Sequence, residues 1–297
     1  MHGFDGGSAI TGYKVFRVIN SVVDTQVGGT LSSTTLTYAD TTGTLTTAYS
    51  YNVHAINVMG QGDAKATGIV VFGNIPAQAV ISSVAALAGL ALRIDWNQPV
   101  NNGYTVSSYL LEYTENSGSS WTNVDGTTNT YTAGLDTGSP PPDIYDHSSL
   151  TEGTDYQYRL TATNEMGTGQ TSATSNAVTA GDKPDAPTIT ADADAGSVID
   201  LAWNQPDEHE YGITDYHITF SLDDSTYNPL QTISGTPPAL THQHTGLTNG
   251  QVYYYKITAE NDLGVSNLSV MASDTAGDIP DQPTGLGATA VVGFDVD

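Results

Sequence analysis

The chain of 297 residues contains no cysteine. That excludes disulfides, thiolate metal sites and a cysteine nucleophile together, and it leaves the redox compartment open. Basic residues are nearly as scarce, with 7 Lys plus Arg against 32 Asp plus Glu and a formal net charge of −25. Phosphate binding needs clustered basic side chains, so nucleic acid is excluded as a partner. Long apolar runs are missing as well. The most apolar stretch, residues 79–94, is interrupted by Ser82, Ser83 and Gly89. It is too short to span a bilayer, and two strands with a turn account for it, so no transmembrane segment is expected. Met1 is followed by His2-Gly3-Phe4-Asp5 and not by a basic then apolar leader. Neither Gly-x-Ser-x-Gly nor Arg-Gly-Asp occurs, and the seven histidines are scattered, so nothing in the pattern supports nucleophilic catalysis.

What is present is glycine, 31 residues of it, with abundant Thr, Val and Tyr, the profile of an all-β chain rich in turns. One phrase recurs three times, Ala55-Ile-Asn57-Val-Met-Gly60, Ala162-Thr-Asn164-Glu-Met-Gly167 and Ala259-Glu-Asn261-Asp-Leu-Gly264. A tyrosine pair at period two precedes each copy (Tyr49/Tyr51, Tyr156/Tyr158, Tyr253/Tyr255), as one face of a buried strand reads. The chain is therefore an array of one repeated domain. Gly and Pro punctuate the boundaries at Pro184-Asp-Ala-Pro187 and Pro280-Asp-Gln-Pro283, giving short, stiff linkers. Trp96 and Trp203 are the expected core anchors, and thirteen residues beyond each stands Tyr109 or Tyr216, with Tyr13 at the matching place in the first repeat. Leu150 to Tyr156 and Leu247 to Tyr253 read as a turn whose tyrosine returns its hydroxyl to the loop before it. His147 matches His244, three residues before the corner leucine, which predicts a shared structural hydrogen bond.

Taken together, the proline-led linker, the tryptophan of the second strand, the Tyr109-type third strand, the tyrosine corner and the Asn164/Gly167 phrase resemble the fibronectin type III family over nearly the whole chain. The fold this implies is all-β, a string of immunoglobulin-like sandwiches. The expected divisions are an N-terminally incomplete repeat at 1–75, a complete repeat with a loop insertion at 76–183, a complete repeat at 184–279, and the first strands of a further repeat at 280–297. The insertion is placed in Thr137 to Asp146, a proline-stiffened loop.

The two ends look complementary. Counting back from Tyr13 puts the first repeat's expected tryptophan before Met1, while the last residues stop just before theirs. One expectation is that donor strands carrying Leu286, Ala288, Val291, Val292, Phe294 and Val296 complete the first repeat of another copy. They would cover Tyr13, Val15, Phe16, Tyr49, Tyr51 and Val53 in a head-to-tail polymer. The other is that the sequence is a window of a longer array, whose flanking repeats are then the partners. Both readings stay open at this stage.

For ligands, Asp182, Asp185, Asp274, Asp278 and Asp281 in the linkers are hard oxygen donors of the kind calcium takes, though without EF-hand spacing. Solvated linker charge is the default reading of them, and no other cofactor is expected. His242 and His244 share a strand face and could hold a metal with a nearby carboxylate, but two imidazoles at period two specify little and read first as ordinary half-buried residues. Trp121, Tyr104, Tyr131 and Tyr145 are the aromatic residues left for a glycan platform. The resulting expectation is a non-enzymatic extracellular structural or adhesive element of a surface filament or appendage. The alternative is a spacer or carbohydrate-binding module of a larger secreted enzyme, adhesin or phage tail protein.

Overall fold

Alternating apolar residues and glycine-rich turns fold into strands throughout. The computed structural model describes residues 5–125, 131–132, 144–282 and 284–285, and among them there is no helix. They divide into two compact units, one of Met1–Ala85, Leu92–His147 and Asp155–Val178, the other of Ala86–Ala91, Ser148–Thr154 and Thr179–Asp297.

The first repeat comprises β1 (Gly12–Ile19), β2 (Val22–Ser32), β3 (Ala48–Asn57), β4 (Gly60–Ala66) and β5 (Val70–Val71). They form one antiparallel sheet in the order β2-β1-β3-β4, with β5 also on β3. Tyr13 lies opposite Ala55 and Val15 opposite Val53, so the apolar residues of both strands fall on one face. Phe16 points the other way and sets its ring edge-on against His54, with centroids 5.4 Å apart.

The second repeat contains β6 (Val80–Leu87), β7 (Ala91–Asn97), β8 (Ser108–Thr114), β9 (Thr122–Asn123), β10 (Tyr131–Thr132), β11 (Ile144–His147), β12 (Asp155–Asn164), β13 (Gly167–Thr168) and β14 (Val178–Thr179). Here there are two sheets, β11-β7-β6 and one built on β10-β8-β12-β13. The third repeat repeats this plan with β15 (Ile189–Asp194), β16 (Val198–Trp203), β17 (Asp215–Ser221), β18 (Asn228–Ser234), β19 (Thr241–His244), β20 (Val252–Asn261), β21 (Gly264–Val265) and β22 (Ala272–Thr275). Its sheets are β15-β16-β19 and β18-β17-β20-β21, with β22 on β20.

The core of the third repeat joins Ile199, Leu201 and Trp203 from one sheet to Tyr216, Ile218, Tyr255 and Ile257 from the other. Each of the two tryptophans meets the tyrosine thirteen residues on, Trp96 with Tyr109 and Trp203 with Tyr216, at 5.4 Å between centroids in both cases. The T-shaped geometry is the favourable one for aromatic pairs. The tyrosine corner forms as the spacing predicts: Thr248 N–H donates to Tyr253 Oη at 3.1 Å, and Thr44 N–H to Tyr49 Oη at 3.0 Å. The shortened corner of the first repeat therefore keeps the bond, which spans five residues in both.

Candidate interaction sites at the open face and the repeat junctions

The recurrent asparagine ties the chain where it enters each repeat. Asn164 Nδ2 donates to the carbonyls of Asn74, Asn101 and Tyr104, and its Oδ1 accepts from Met166 N–H. Asn261 does the same for Asp182, Glu208 and Tyr211, with Leu263 and Gly264 as donors to its Oδ1. Asn57 reaches the carbonyls of Asp5 and Ser8. Asn164 and Asn261 are 4% and 3% exposed, so these carbonyls find in the amide the partner that water would otherwise supply.

A second device at the junctions was not singled out from the sequence. Tyr104 and Tyr211 each stand five residues before the core tyrosine of their repeat. Tyr104 Oη donates to Val71 O at 3.0 Å, and Tyr211 Oη to Thr179 O at 2.9 Å. Their rings lie so close to linker glycines that a Cβ on Gly73 would stand 2.2 Å from Tyr104, and one on Gly181 would stand 2.7 Å from Tyr211. Only glycine allows that approach. The shared offset from Tyr109 and Tyr216 was the available signal.

The other aromatic residues considered for a ligand platform are placed apart. Trp121 stacks under the guanidinium of Arg159, 4.3 Å away, and Arg159 is in turn held by Glu112 through two bonds of 2.7 and 2.9 Å. Tyr145 belongs to β11 in the other sheet. Tyr131 is paired in β10 with Tyr109, and its side chain lies outside what the structure describes.

The linker carboxylates mostly bind backbone N–H groups. Asp182 Oδ1 accepts from Gly89 and Lys183, Asp278 Oδ1 from Gly196 and Ile279, and Asp274 from Ala193 and Thr275. Asp182 and Asp278 thus hold the same hairpin turn in successive repeats. Asp281 is exposed, and Asp185 lies 3.5 Å from His209 Nε2. His209 Nδ1 is 2.7 Å from Glu152 and 3.8 Å from Asp207. Among the described residues, this trio of Glu152, Asp207 and His209 is where three such groups converge, and the site is exposed or half-exposed. The hydrogen bond to Glu152 raises the His209 pKa against a smaller opposing effect of burial.

His147 and His244 form the expected matching bonds, 3.0 Å to Tyr158 Oη and 2.9 Å to Tyr255 Oη. Tyr113 and Phe220 cover their rings at 4.7 and 5.1 Å. Burial lowers both histidine pKa values, with His242 adding to the effect at His244. The first repeat builds this layer differently. Tyr51, the equivalent of Tyr158 and Tyr255, donates to Asp40 Oδ2 at 3.0 Å, so Asp40 occupies the histidine position. Arg17, at the place of Tyr113 and Phe220, lies 3.6 Å from Asp40 and donates to Thr42 O. Burial alone would raise the Asp40 carboxyl, but bonds from Thr42 and Tyr51 and the charge of Arg17 hold it below the usual carboxylate range. Burial and the same carboxylate push Tyr51 up to about 12.

Beside this layer, no second sheet covers the sheet face of the first repeat among the described residues. A groove of about 510 Å³ is lined by Tyr13, Val15, Tyr51, Val53, Val70 and Phe72, with the segment from Thr35 to Asp40 along its rim. Four of the six residues expected on the acceptor face are brought together here. Tyr49 lies beneath, 3% exposed, with its ring 5.2 Å from that of Phe72, whereas Phe16 is on the opposite face. The expected donor residues Leu286, Ala288, Val291, Val292, Phe294 and Val296 lie outside the described residues.

Residues 83–178 match the family model of the fibronectin type III domain. That stretch is a fibronectin type III domain. Exoglucanase B of Cellulomonas fimi is 29% identical over 170 residues, which cover 54% of this chain and 13% of that protein, so the chain spans a small part of this relative's length. The crystal structure of the chicken CNTN1 FN1-FN3 domains aligns with 93% of this chain and 92% of its own, at 18% identity and a TM-score of 0.44. The two sheets of the second repeat are then the two layers of that domain's sandwich, the third repeat shows the same pair of sheets, and no second sheet faces the groove of the first among the described residues.

Proposed function

We propose that the chain is a non-enzymatic extracellular spacer, a run of fibronectin type III domains that keeps whatever it joins at a set separation. The observation that carries this reading is the junction device found twice in the same form. An asparagine ties the entering linker, and a tyrosine rests on a linker glycine with its hydroxyl on the preceding strand. Chain held at each junction by part-buried hydrogen bonds from the asparagine and the tyrosine is not free coil, and a spacer needs that stiffness. The side chains that could suggest chemistry serve the fold: His147 and His244 bond tyrosines, and Trp96 and Trp203 fill cores. An exoglucanase that shares such a segment over 13% of its length supports a role in which these repeats accompany chemistry performed elsewhere. The strong negative charge then keeps neighbouring molecules apart.

Limited proteolysis tests the spacer reading. The linkers near Gly73 and Gly181 should resist cleavage in the native chain and open in Tyr104→Phe/Asn164→Ala and Tyr211→Phe/Asn261→Ala variants. Cleavage of the native linkers at the rate of a free peptide would defeat it. Retention on cellulose or another polysaccharide, with a change in tryptophan fluorescence, would favour the glycan-binding alternative instead. A second reading, that such chains also join head to tail into an adhesive filament, is favoured by one observation, the open apolar groove of the first repeat.

A further inference from the structure

Among the described residues, an imidazole and two carboxylates converge where the turn at Glu152 meets the loop 205–211, both within one compact unit. His209 Nδ1 lies 2.7 Å from Glu152 Oε1 and 3.8 Å from Asp207 Oδ1, and the three ligand atoms stand within 4.8 Å of one another. Asp207 Oδ1 is fixed there by accepting from the His209 N–H at 3.0 Å. Tetrahedral donors about 2.0–2.1 Å from a zinc ion are themselves about 3.4 Å apart, so the three side chains surround a point at the right scale. On the far side of the ring, His209 Nε2 lies 3.5 Å from Asp185 Oδ1. A metal-bound imidazole gives its other N–H to such a carboxylate, which selects the tautomer that leaves the first nitrogen free to ligate.

The backbone does not require these side chains, as the corresponding place between the first and second repeats shows. Asp182 N–H donates to His209 O and Asp185 N–H to Asp207 O, just as Asn74 N–H donates to Asn102 O and Ala77 N–H to Val100 O. Gly153 N–H donates to Ala180 O, as Thr46 N–H does to Phe72 O. These bonds match Glu152, Asp185, Asp207 and His209 to Leu45, Ala77, Val100 and Asn102. The same chain path therefore forms without an imidazole or a carboxylate at any of the four positions. Charge agrees. Among the described residues no Lys or Arg pairs with the three carboxylates, so the cluster stays net negative even with the ring protonated, in a chain of formal charge −25. A divalent cation neutralises what the fold leaves unbalanced.

We propose that Glu152, Asp207 and His209 hold a divalent transition-metal ion of the zinc class, with Asp185 as the carboxylate behind the imidazole. Imidazole and carboxylates together suit a borderline ion, whereas calcium takes about six to eight oxygens and leaves nitrogen aside. The metal takes the Nδ1 lone pair in place of the hydrogen shared with Glu152, and that proton leaves to solvent or shifts the tautomer to Nε2–H. The ion then clips the turn at Glu152 to the loop at His209 and stabilises their unit by mass action. Asp182, Asp274 and Asp278 already accept backbone N–H groups and stay outside the site. The site is independent of the spacer reading, whose bonds run through Asn261 and Tyr211.

Calorimetric titration of the full chain with zinc chloride, repeated with cobalt(II) to read its visible absorption bands, should show one strongest site per chain. His209→Ala and Glu152→Gln/Asp207→Asn should each weaken that site more than tenfold. Asp185→Asn should weaken it about tenfold while the cobalt bands persist, as expected of a positioning residue. His217→Gln, at the other histidine–carboxylate pair, should leave it unchanged. Imidazole NMR should show His209 with Nδ1 metal-bound and Nε2 protonated. Unchanged melting of the variants in EDTA separates lost binding from lost fold. No saturable zinc binding at roughly 100 µM chain, or binding that survives His209→Ala, would overturn the site and leave the spacer reading standing. Calcium bound more tightly than zinc would overturn the class of ion.

Discussion

Tyr216, Tyr255 and Ile257 of the third repeat are at most 1% exposed, whereas Tyr13, Tyr51 and Val53, at the same positions of the first, remain half-buried. Both repeats place the same residue types on neighbouring strands in the same register, Tyr216 against Ala259 and Tyr13 against Ala55. What differs is the opposing sheet. In the third repeat Ile199, Leu201 and Trp203 cover the face, and the polar layer beside it is a neutral histidine bonded to a tyrosine. In the first, no second sheet covers the face among the described residues, and the layer carries charge, with Arg17, Asp40 and Tyr51 held together. The comparison teaches that strand pairing fixes where side chains point, and only the second layer decides whether they are buried.

The largest effect expected from this difference is in packing. Ile257→Ala should cost about 3 kcal/mol or more, because a fully enclosed side chain leaves a cavity, whereas Val53→Ala should cost under about 1 kcal/mol. Urea denaturation of each variant checks this. A large cost at Val53 would mean the groove is covered in solution, and would sharpen the case for an added strand.

The polar layers give the next effect. Asp40→Ala removes the carboxylate that accepts from Tyr51 and Thr42 in a place where its side chain is only 4% exposed, and should destabilise the first repeat by about 2–3 kcal/mol. His244→Ala removes a neutral bond and part of the ring packing, for about 1–2 kcal/mol. An Asp40→His/Arg17→Phe double variant rebuilds the third repeat's layer in the first and should recover most of the loss. Non-additivity in a double-mutant cycle is the measurement.

The same layers separate the repeats by pH. His147 and His244 have folded pKa values below the ordinary one, chiefly from burial, so protonation favours the unfolded chain. Their contribution is complete above about pH 6.5 and declines as pH falls through that value. Asp40 is depressed from the ordinary carboxylate value, so its contribution survives through pH 5 and is lost only in stronger acid. Melting between pH 7 and 5 should therefore weaken the second and third repeats and leave the first unchanged. All three tryptophans, Trp96, Trp121 and Trp203, lie outside the first repeat, so fluorescence reports the former and amide NMR signals report the latter. His209 has the opposite sign. Its pKa is raised by Glu152, so that contact is complete below about pH 6.5 and fades as pH rises through the folded value.

The smallest effects belong to the junctions. Tyr104→Phe and Tyr211→Phe each remove one hydrogen bond and should cost about 1 kcal/mol or less, visible as faster amide exchange at Gly73 and Gly181. Equal exchange in native and variant chains would break the equivalence drawn between the two junctions.

Sequence by itself determined the strands, their repetition and much of their local chemistry. Period-two tyrosines, the corner spacing, the histidine three residues before the corner leucine and the recurrent asparagine could all be read because each recurs at a fixed place in a repeated stretch of sequence. Tyr104 and Tyr211 were harder to read, since their partners Val71 and Thr179 lie about 30 residues away across a linker, and a lone tyrosine in a loop has no periodicity. The substitution of Asp40 and Arg17 for the histidine and aromatic pair was hidden for a related reason. The shortened corner shifts Asp40 out of step with His147 and His244 when counted from the leucine, and only the bond to Tyr51 restores the alignment. Whether the Tyr13 face lies open or enclosed was decided by tertiary structure alone. Burial depends on the layer that comes to rest on a face, which the alternation within that face does not encode.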